Sequence, residues 1–256
     1  MSNVAHQETT RMYESIIAGI IANAIFFVFI LLVGWSAFLL FRRRKLLKFF
    51  GIKEQKRITV YLSNIQVTQG GSLGIDGQPR AYAGTTVTFG ESLQSNLFLN
   101  LFSYLVPGLS SQPGILKYLS VSDVQVVVAP SPLREEDIDK TSTIVTLGSP
   151  GYNIVSKWAQ LTLNPRMRFT NDNSAIAVNG LPNITDGKQS FVQRLYDPNN
   201  KRWVFYTAGL SEIGTIGAAH FLASQWHSLF KKFKEEKFEH IISVNPQNYQ
   251  QSTIVI

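Results

Sequence analysis

The chain of 256 residues contains no cysteine. That excludes disulfides, thiolate metal sites and a cysteine nucleophile, and it fits a reducing compartment. Histidine is scarce too, and His220, His227 and His240 lack the spacing of metal ligands or of a catalytic constellation. No nucleophile elbow, zinc motif or complete Walker loop is present. Basic residues are absent from most of the length as a surplus. The net charge is +7, yet eight of the 24 Lys and Arg fall between Arg42 and Arg57 against one acid, Glu54. The remainder is charge-balanced, so the folded part lacks the basic footprint that nucleic acid would demand.

Charge is wholly missing from Ile16–Phe41. At about 1.5 Å per helical residue this run exceeds the roughly 20 residues that cross a bilayer. Asn23 is its one strongly polar side chain, and Trp35 suits an interface. A signal peptide fits less well: the run is long, and no small-residue cleavage site precedes the Arg cluster. The expected organisation is therefore a short N-terminus (1–15), a transmembrane helix (16–41), a basic juxtamembrane segment (42–57), an α/β domain (58–244) and a polar tail (245–256). RRRK on one flank, against Arg11 with Glu8 and Glu14 on the other, places the C-terminal domain in the cytoplasm and the N-terminus outside. This holds for the cell membrane or an internal membrane alike. The Asn183-Ile184-Thr185 sequon is then inert. The basic segment, interleaved with Leu46, Leu47, Phe49, Phe50 and Ile52, is either a topology signal or a patch for an anionic leaflet. Ala18 and Ala22 form a small-xxx-small pair of the kind that lets helices approach.

Strands and helices alternate through the rest. Ile58–Val67, Val124–Ala129, Thr143–Leu147 and Arg202–Thr207 read as strands. The continuous apolar character of Val124–Ala129 implies burial on both faces, as in a parallel sheet covered by helices. Phe191–Tyr196 pairs with Arg202–Thr207 in a hairpin across Asp197-Pro198-Asn199-Asn200. Ser174–Val178 and Phe238–Val244 are further strand candidates. Glu91–Leu105 reads as an amphipathic helix with Leu93, Leu97, Phe98, Leu101, Phe102 and Leu105 on its buried stripe, stopped by Pro107-Gly108. Thr68–Gly84 is a long glycine-rich segment, either a mobile loop or a lid over a site, with Arg80 as the cation that could meet an anion. Asn245–Gln251 reads as frayed, and Ile254-Val255-Ile256 as a loose tail or a strand for a partner's sheet edge. The fold expected is α/β: one transmembrane helix, then a mainly parallel, three-layer domain.

Two stretches draw the eye within that plan. Thr143–Leu147 runs through Gly148-Ser149-Pro150-Gly151-Tyr152-Asn153 into a helix at Tyr152–Leu161, with Ser149 suited to the N-cap and Pro150 to the first helical position. Trp203–Thr207 runs through Gly209, Ser211, Gly214 and Gly217 into a longer helix whose apolar residues recur from Ile216 to Phe233. A strand that turns through glycines into a helix aims free N–H groups and a positive dipole end at one point. Both turns are expected on the carboxyl edge of the sheet, around one electropositive cleft.

These two strand–turn–helix units resemble the phosphate-binding loops of Rossmann-like nucleotide-binding domains. That group includes domains that sense or process nucleotide derivatives in bacterial defence and signalling. The resemblance covers Ile144–Leu161 and Trp203–Phe233 and implies close backbone approach to a ligand at Gly148, Gly151, Gly209, Gly214 and Gly217. Neither turn carries the full dinucleotide fingerprint, and no phosphate-loop lysine follows the glycines. No cofactor is identified. Ser149, Ser211 and Thr215 either bond a phosphate or cap helices. Asn153 either orients a ligand or satisfies backbone groups. Glu212 is either a ribose partner or general base, or an acid stabilised by the helix dipole. Three functions follow. The first is a membrane-anchored cytoplasmic module binding a nucleotide-like or other anionic ligand, as sensor or effector. The second is a structural subunit of a homo-oligomer or larger membrane complex. The third is a nucleotide or glycosidic-bond hydrolase with Glu212 as base.

Overall fold

The computed structural model describes residues 2–52, 57–66, 85–86, 89–103, 123–129 and 135–256. The glycine-rich Thr68–Gly84 segment with Arg80, the Pro107-Gly108 stop and Pro130-Ser131-Pro132 lie outside the described residues. The chain divides into two compact units, Met1–Arg44 and Lys45–Ile256.

The first unit is the greater part of one helix, α1 (Ser2–Phe49). Its stretch Gly19–Phe49 is long and apolar enough to cross a membrane, with an 18-residue window of mean hydropathy 2.7. Ile20, Ile25, Phe26, Phe29 and Leu32 are all exposed, so the apolar surface runs around the whole helix. A helix that is hydrophobic on every side has no polar face to offer water.

The second unit holds a seven-stranded sheet. In chain order its elements are β1 (Arg57–Leu62), a small β2–β3 ladder (Ile65–Gln66 with Thr85–Thr86), α2 (Phe89–Ser103), β4 (Asp123–Val128) and a 3-10 turn at Glu135–Asp137. Then come β5 (Thr143–Leu147), α3 (Ile154–Thr162), a hairpin of β6 (Met167–Phe169) and β7 (Ile176–Val178), β8 (Gln189–Asp197) and β9 (Arg202–Gly209). The chain closes with α4 (Glu212–Phe233), β10 (Phe238–Asn245) and β11 (Asn248–Ile254). The sheet order is β11-β10-β8-β9-β5-β1-β4. β4, β1, β5 and β9 are parallel, while β8, β10 and β11 join antiparallel. The sheet is thus parallel-rich at one side and antiparallel at the other, rather than parallel throughout. The β8–β9 hairpin reverses the chain, and α4 then carries it over β8 to β10.

Both faces of the sheet are buried. Ile58, Val60, Leu62, Val145, Leu147, Phe205 and Val244 pack with α2, α4, Phe49 and Phe50. Tyr61, Ile144, Phe191, Val204, Tyr206 and Ala208 pack with Val155 and Trp158 of α3 and with the β6–β7 hairpin. Strict alternation along β1 and β9 sends neighbours to opposite clusters, which is why their sequences are apolar almost without interruption.

The β8–β9 turn is set by one carboxylate. Asp197 accepts from the N–H groups of Asn199 and Asn200 and pairs with Arg202 Nε at 2.9 Å. Burial alone would raise its pKa, but the hydrogen bonds from Asn200 and Arg202 and the charge of Arg202 outweigh it and hold the carboxyl below its usual range. The C-terminal residues differ from the expectation of a frayed tail. Asn248–Ile254 pairs antiparallel with β10, Ile254 opposite Ile242. Val255 N donates to Ile241 O, so the last residues also continue the protein's own sheet. An edge strand exposes most of its side chains, so a polar sequence suffices there.

The end of α1 is anchored inside the second unit. Ile52 N donates to Leu47 O and Gly51 N to Lys48 O, the paired bonds of a Schellman cap. Gly51 sits at φ +67, and a Cβ there would run into the Trp203 ring. The same ring carries the fully buried Arg194 guanidinium 3.9 Å from its centroid. Arg194 Nη1 donates to Lys234 O and Glu236 O beyond the end of α4. Burial lowers its pKa to about 10, so the group stays charged at neutral pH. Gly51→Ala should cost about 1–2 kcal/mol for the left-handed backbone and more for the collision with Trp203. Gly180, at φ +80 with open space around it, supplies the control. Thermal unfolding of the detergent-solubilised chain should show Gly51→Ala melting well below Gly180→Ala, and equal melting temperatures would refute the Trp203 contact.

Candidate functional site

Because β1, β5 and β9 are parallel neighbours, Leu62, Leu147 and Gly209 end on one rim of the sheet. The chain leaves β1 for β4 on one side and returns to β5 on the other, so β1 and β5 flank a topological switch point. The loops there are tied to one another. Asn64 N donates to Tyr152 O at 2.8 Å and Gly148 N to Thr207 O at 3.0 Å. Asn64 Nδ2 donates to Ala129 O beyond β4 at 3.1 Å.

The two glycine turns therefore do share a rim, but their residues are used differently from the expectation. Gly148 adopts φ +100, and a Cβ would strike Ser63 Oγ and Glu91 Oε1. Its missing side chain makes room for a protein carboxylate. Ser149 is not the cap of α3. Its carbonyl accepts from Tyr152 and Asn153 in a preceding turn, and the helix starts later, at Ile154. Asn153 is the cap: Oδ1 accepts from Val155 N and Ser156 N, while Nδ2 donates to Leu147 O at 2.7 Å and Tyr61 O at 3.2 Å. Asn caps as well as Ser does, and only a carboxamide can also bind two strand carbonyls. Gly151 is exposed, with Asn173 nearest.

In the second turn, Ser211 caps α4, accepting from Gly214 N at 3.1 Å and donating to Gly187 O at 2.7 Å. Thr215 Oγ1 accepts from Gly209 N at 3.1 Å. Gly209 and Gly214 lie backbone against backbone, and a Cβ on Gly209 would come within 2.6 Å of Gly214 C. Gly217 lies a turn into the helix, where its bare backbone lets α4 settle on Val244 of β10. These three glycines thus serve packing within the turn and against the sheet.

The residues that sequence reasoning missed come from β1 and α2. Glu91 is buried, and its carboxylate accepts from Ser63 N at 2.7 Å and from Ser63 Oγ at 2.8 Å. Burial raises its pKa most, the Ser63 bonds oppose that, and the nearby charge of Glu212 raises it further, for a net upward shift. Glu212 itself is exposed, its carboxylate beside Gly90. The rim thus brings two acids together where an electropositive cleft was expected. Beyond Glu91 the buried face of α2 continues through Gln94 and Ser95, while Leu93 is 41 % exposed. Of the apolar stripe Leu93, Leu97, Phe98, Leu101, Phe102 and Leu105 drawn from periodicity, Phe98 and Phe102 are buried and Leu97 and Leu101 pack against the core. Leu105 lies outside the described residues, and Leu93 alone of the others is turned away, so that α2 buries polar residues in its first turns. The signal in the sequence was an acid and an amide spaced three apart directly after Phe89-Gly90.

A carboxyl whose pKa is higher folded than unfolded retains a proton that the unfolded chain has lost, so its contribution falls as pH rises from about 4.5 through the raised value. Glu91→Gln should flatten the profile of melting temperature against pH across that window, relative to the parent chain. Glu212→Gln should move the fall to lower pH by removing the like charge. Parallel profiles for all three would remove the coupling. No family model matches the chain, and no curated protein or solved structure is significantly similar to it, so the functional reading rests on this geometry.

Proposed function

We propose that the chain is a single-pass membrane protein whose Rossmann-like domain faces the cytoplasm and binds a nucleotide-like ligand at the carboxyl rim of β1, β5 and β9. One observation carries the reading: two glycine turns that leave neighbouring parallel strands on the same edge, beside a switch point. Ligands of open α/β sheets bind at that place. The starts of α3 and α4 turn positive dipole ends to the rim. The paired acids oppose a bare anion, so a ligand of mixed character fits best, with its charge toward the helix starts and its hydroxyl-bearing part toward Glu91. The cytoplasmic orientation rests on Arg42, Arg43, Arg44 and Lys45 flanking the apolar run.

A second reading, hydrolysis of a nucleotide or glycosidic bond, is favoured by the coupling of Glu91 and Glu212. A buried acid whose pKa is raised by burial, with a second, exposed acid beside it, is a pairing that acid–base catalysis uses. Glu212→Gln would then abolish turnover of any nucleotide that is cleaved while sparing binding, and unchanged turnover would end that reading.

The binding reading is tested by following the melting temperature of the full detergent-solubilised chain against mononucleotides, cyclic nucleotides and dinucleotides. A ligand at a hundred times its Kd stabilises by about 2.7 kcal/mol, a shift of several degrees for a chain of this size. No shift with any of them would overturn the proposal. Orientation is tested by protease added to sealed right-side-out and inverted vesicles. The domain should be cut only in the inverted ones, and cleavage in the right-side-out preparation would reverse the topology.

A further inference from the structure

Gln94 is only 1 % exposed, yet neither its Nε2 nor its Oε1 has a hydrogen-bond partner among the described residues. A buried carboxamide without partners destabilises a fold, and native chains seldom keep one without reason. Its position supplies the reason. Gln94 lies three residues after Glu91 on the same face of α2, and Glu91 ties the start of that helix to Ser63 at the carboxyl end of β1. Helical side chains lean toward the N-terminus over the preceding turn, so Gln94 leans toward the rim and toward Glu91. A second unmatched atom belongs to Asn64, just beyond the carboxyl end of β1. Asn64 spends Nδ2 on Ala129 O, while its buried Oδ1 has no partner among the described residues.

We infer that Gln94, together with Asn64 and Glu91, binds the sugar of a ribonucleoside through its vicinal hydroxyls. This rests on the proposed rim site and names which part of the ligand lies there. The chemistry of the set decides the class. Asn64 Oδ1, Gln94 Oε1 and the Glu91 carboxylate accept hydrogen bonds, and Gln94 Nε2 alone of the unmatched atoms donates. A phosphate offers only acceptors and would meet three of its own kind. A ribose offers two hydroxyls, each able to donate to an acceptor here and one able to accept from Nε2. The exposure of Leu93 belongs to the same arrangement: α2 turns an amide and an acid inward at the rim and leaves a leucine outside.

Gln94→Met keeps the length of the side chain and removes both polar atoms, and the full chain in detergent is the protein to test. Without ligand, the variant should melt higher than the parent by about 2–4 °C, because an unpartnered amide has gone. With adenosine, guanosine, cytidine and uridine as probes, at least one should bind the parent chain and its 2′-deoxy form should bind less well. The same nucleoside should lose affinity for Gln94→Met by about tenfold or more, while inorganic phosphate binding stays unchanged. A lower melting temperature for ligand-free Gln94→Met, or failure to fold, would mean that the amide is satisfied in the folded chain and would overturn the inference. Unchanged nucleoside affinity would overturn it while leaving the rim site standing. Binding of inorganic phosphate alone would also overturn it, and silence from every nucleotide and nucleoside would remove the rim site itself.

Discussion

The Glu91 carboxylate takes both the main-chain N–H and the hydroxyl of Ser63, and much of the rim depends on those two bonds. They fix the start of α2 against the end of β1 across 28 residues of chain. They also require Gly148, because any side chain there would occupy the space of Ser63 and Glu91. Gly148 in turn lets the chain leave β5 in a left-handed conformation toward Asn153, whose amide binds the carbonyls of Tyr61 near the end of β1 and of Leu147 at the end of β5. A single buried acid thus couples three loops at one edge. A buried carboxylate is stabilising only while its partners are in place, so the cluster is an all-or-none arrangement.

At the other end of α4 and along α1, cohesion has a different origin. Phe49 and Phe50 meet Phe205 with tilted rings at 5.4 and 4.7 Å between centroids, and Phe49 also stacks on Phe238 at 6.0 Å. Arg194 lies among these rings with its charge turned to carbonyls that follow α4. The juxtamembrane phenylalanines are therefore core residues of the second unit as well as neighbours of a basic segment. The expectation of a leaflet-binding patch that includes them meets a physical limit here. An aromatic side chain buried in protein has no surface left for lipid.

What could be read from residues alone follows the reach of each signal. Thr143–Leu147 and the β8–β9 hairpin were legible because continuous β-branched runs and an Asp-Pro-Asn-Asn turn are local facts. The cap of α3 was misplaced by one turn because Ser149 and Asn153 are equally good caps by propensity, and only the strand carbonyls opposite Asn153 discriminate between them. β11 was hidden because an edge strand needs no apolar pattern, only a neighbour with free backbone groups, and that neighbour is β10. The glycines were correctly located on one rim, but sequence shows where a Cβ is missing and not what fills the gap. Carboxylate, backbone and valine fill it at Gly148, Gly209 and Gly217.

Glu91 and Gln94 were missed for a reason that bears on function. Periodicity assigns the buried face of a helix by counting apolar residues, and on α2 that count favours the stripe through Leu93. The helix instead turns Glu91, Gln94 and Ser95 inward ahead of Phe98 and Phe102. Local pattern and tertiary placement disagree only over these first turns; farther along, Phe98 and Phe102 agree with both. Sequences are consistent across levels where stability alone shapes them, and the exceptions gather at sites with another task. Here the exception falls on the first turns of α2, which Glu91 ties to the carboxyl end of β1 and where Gln94 has no hydrogen-bond partner among the described residues.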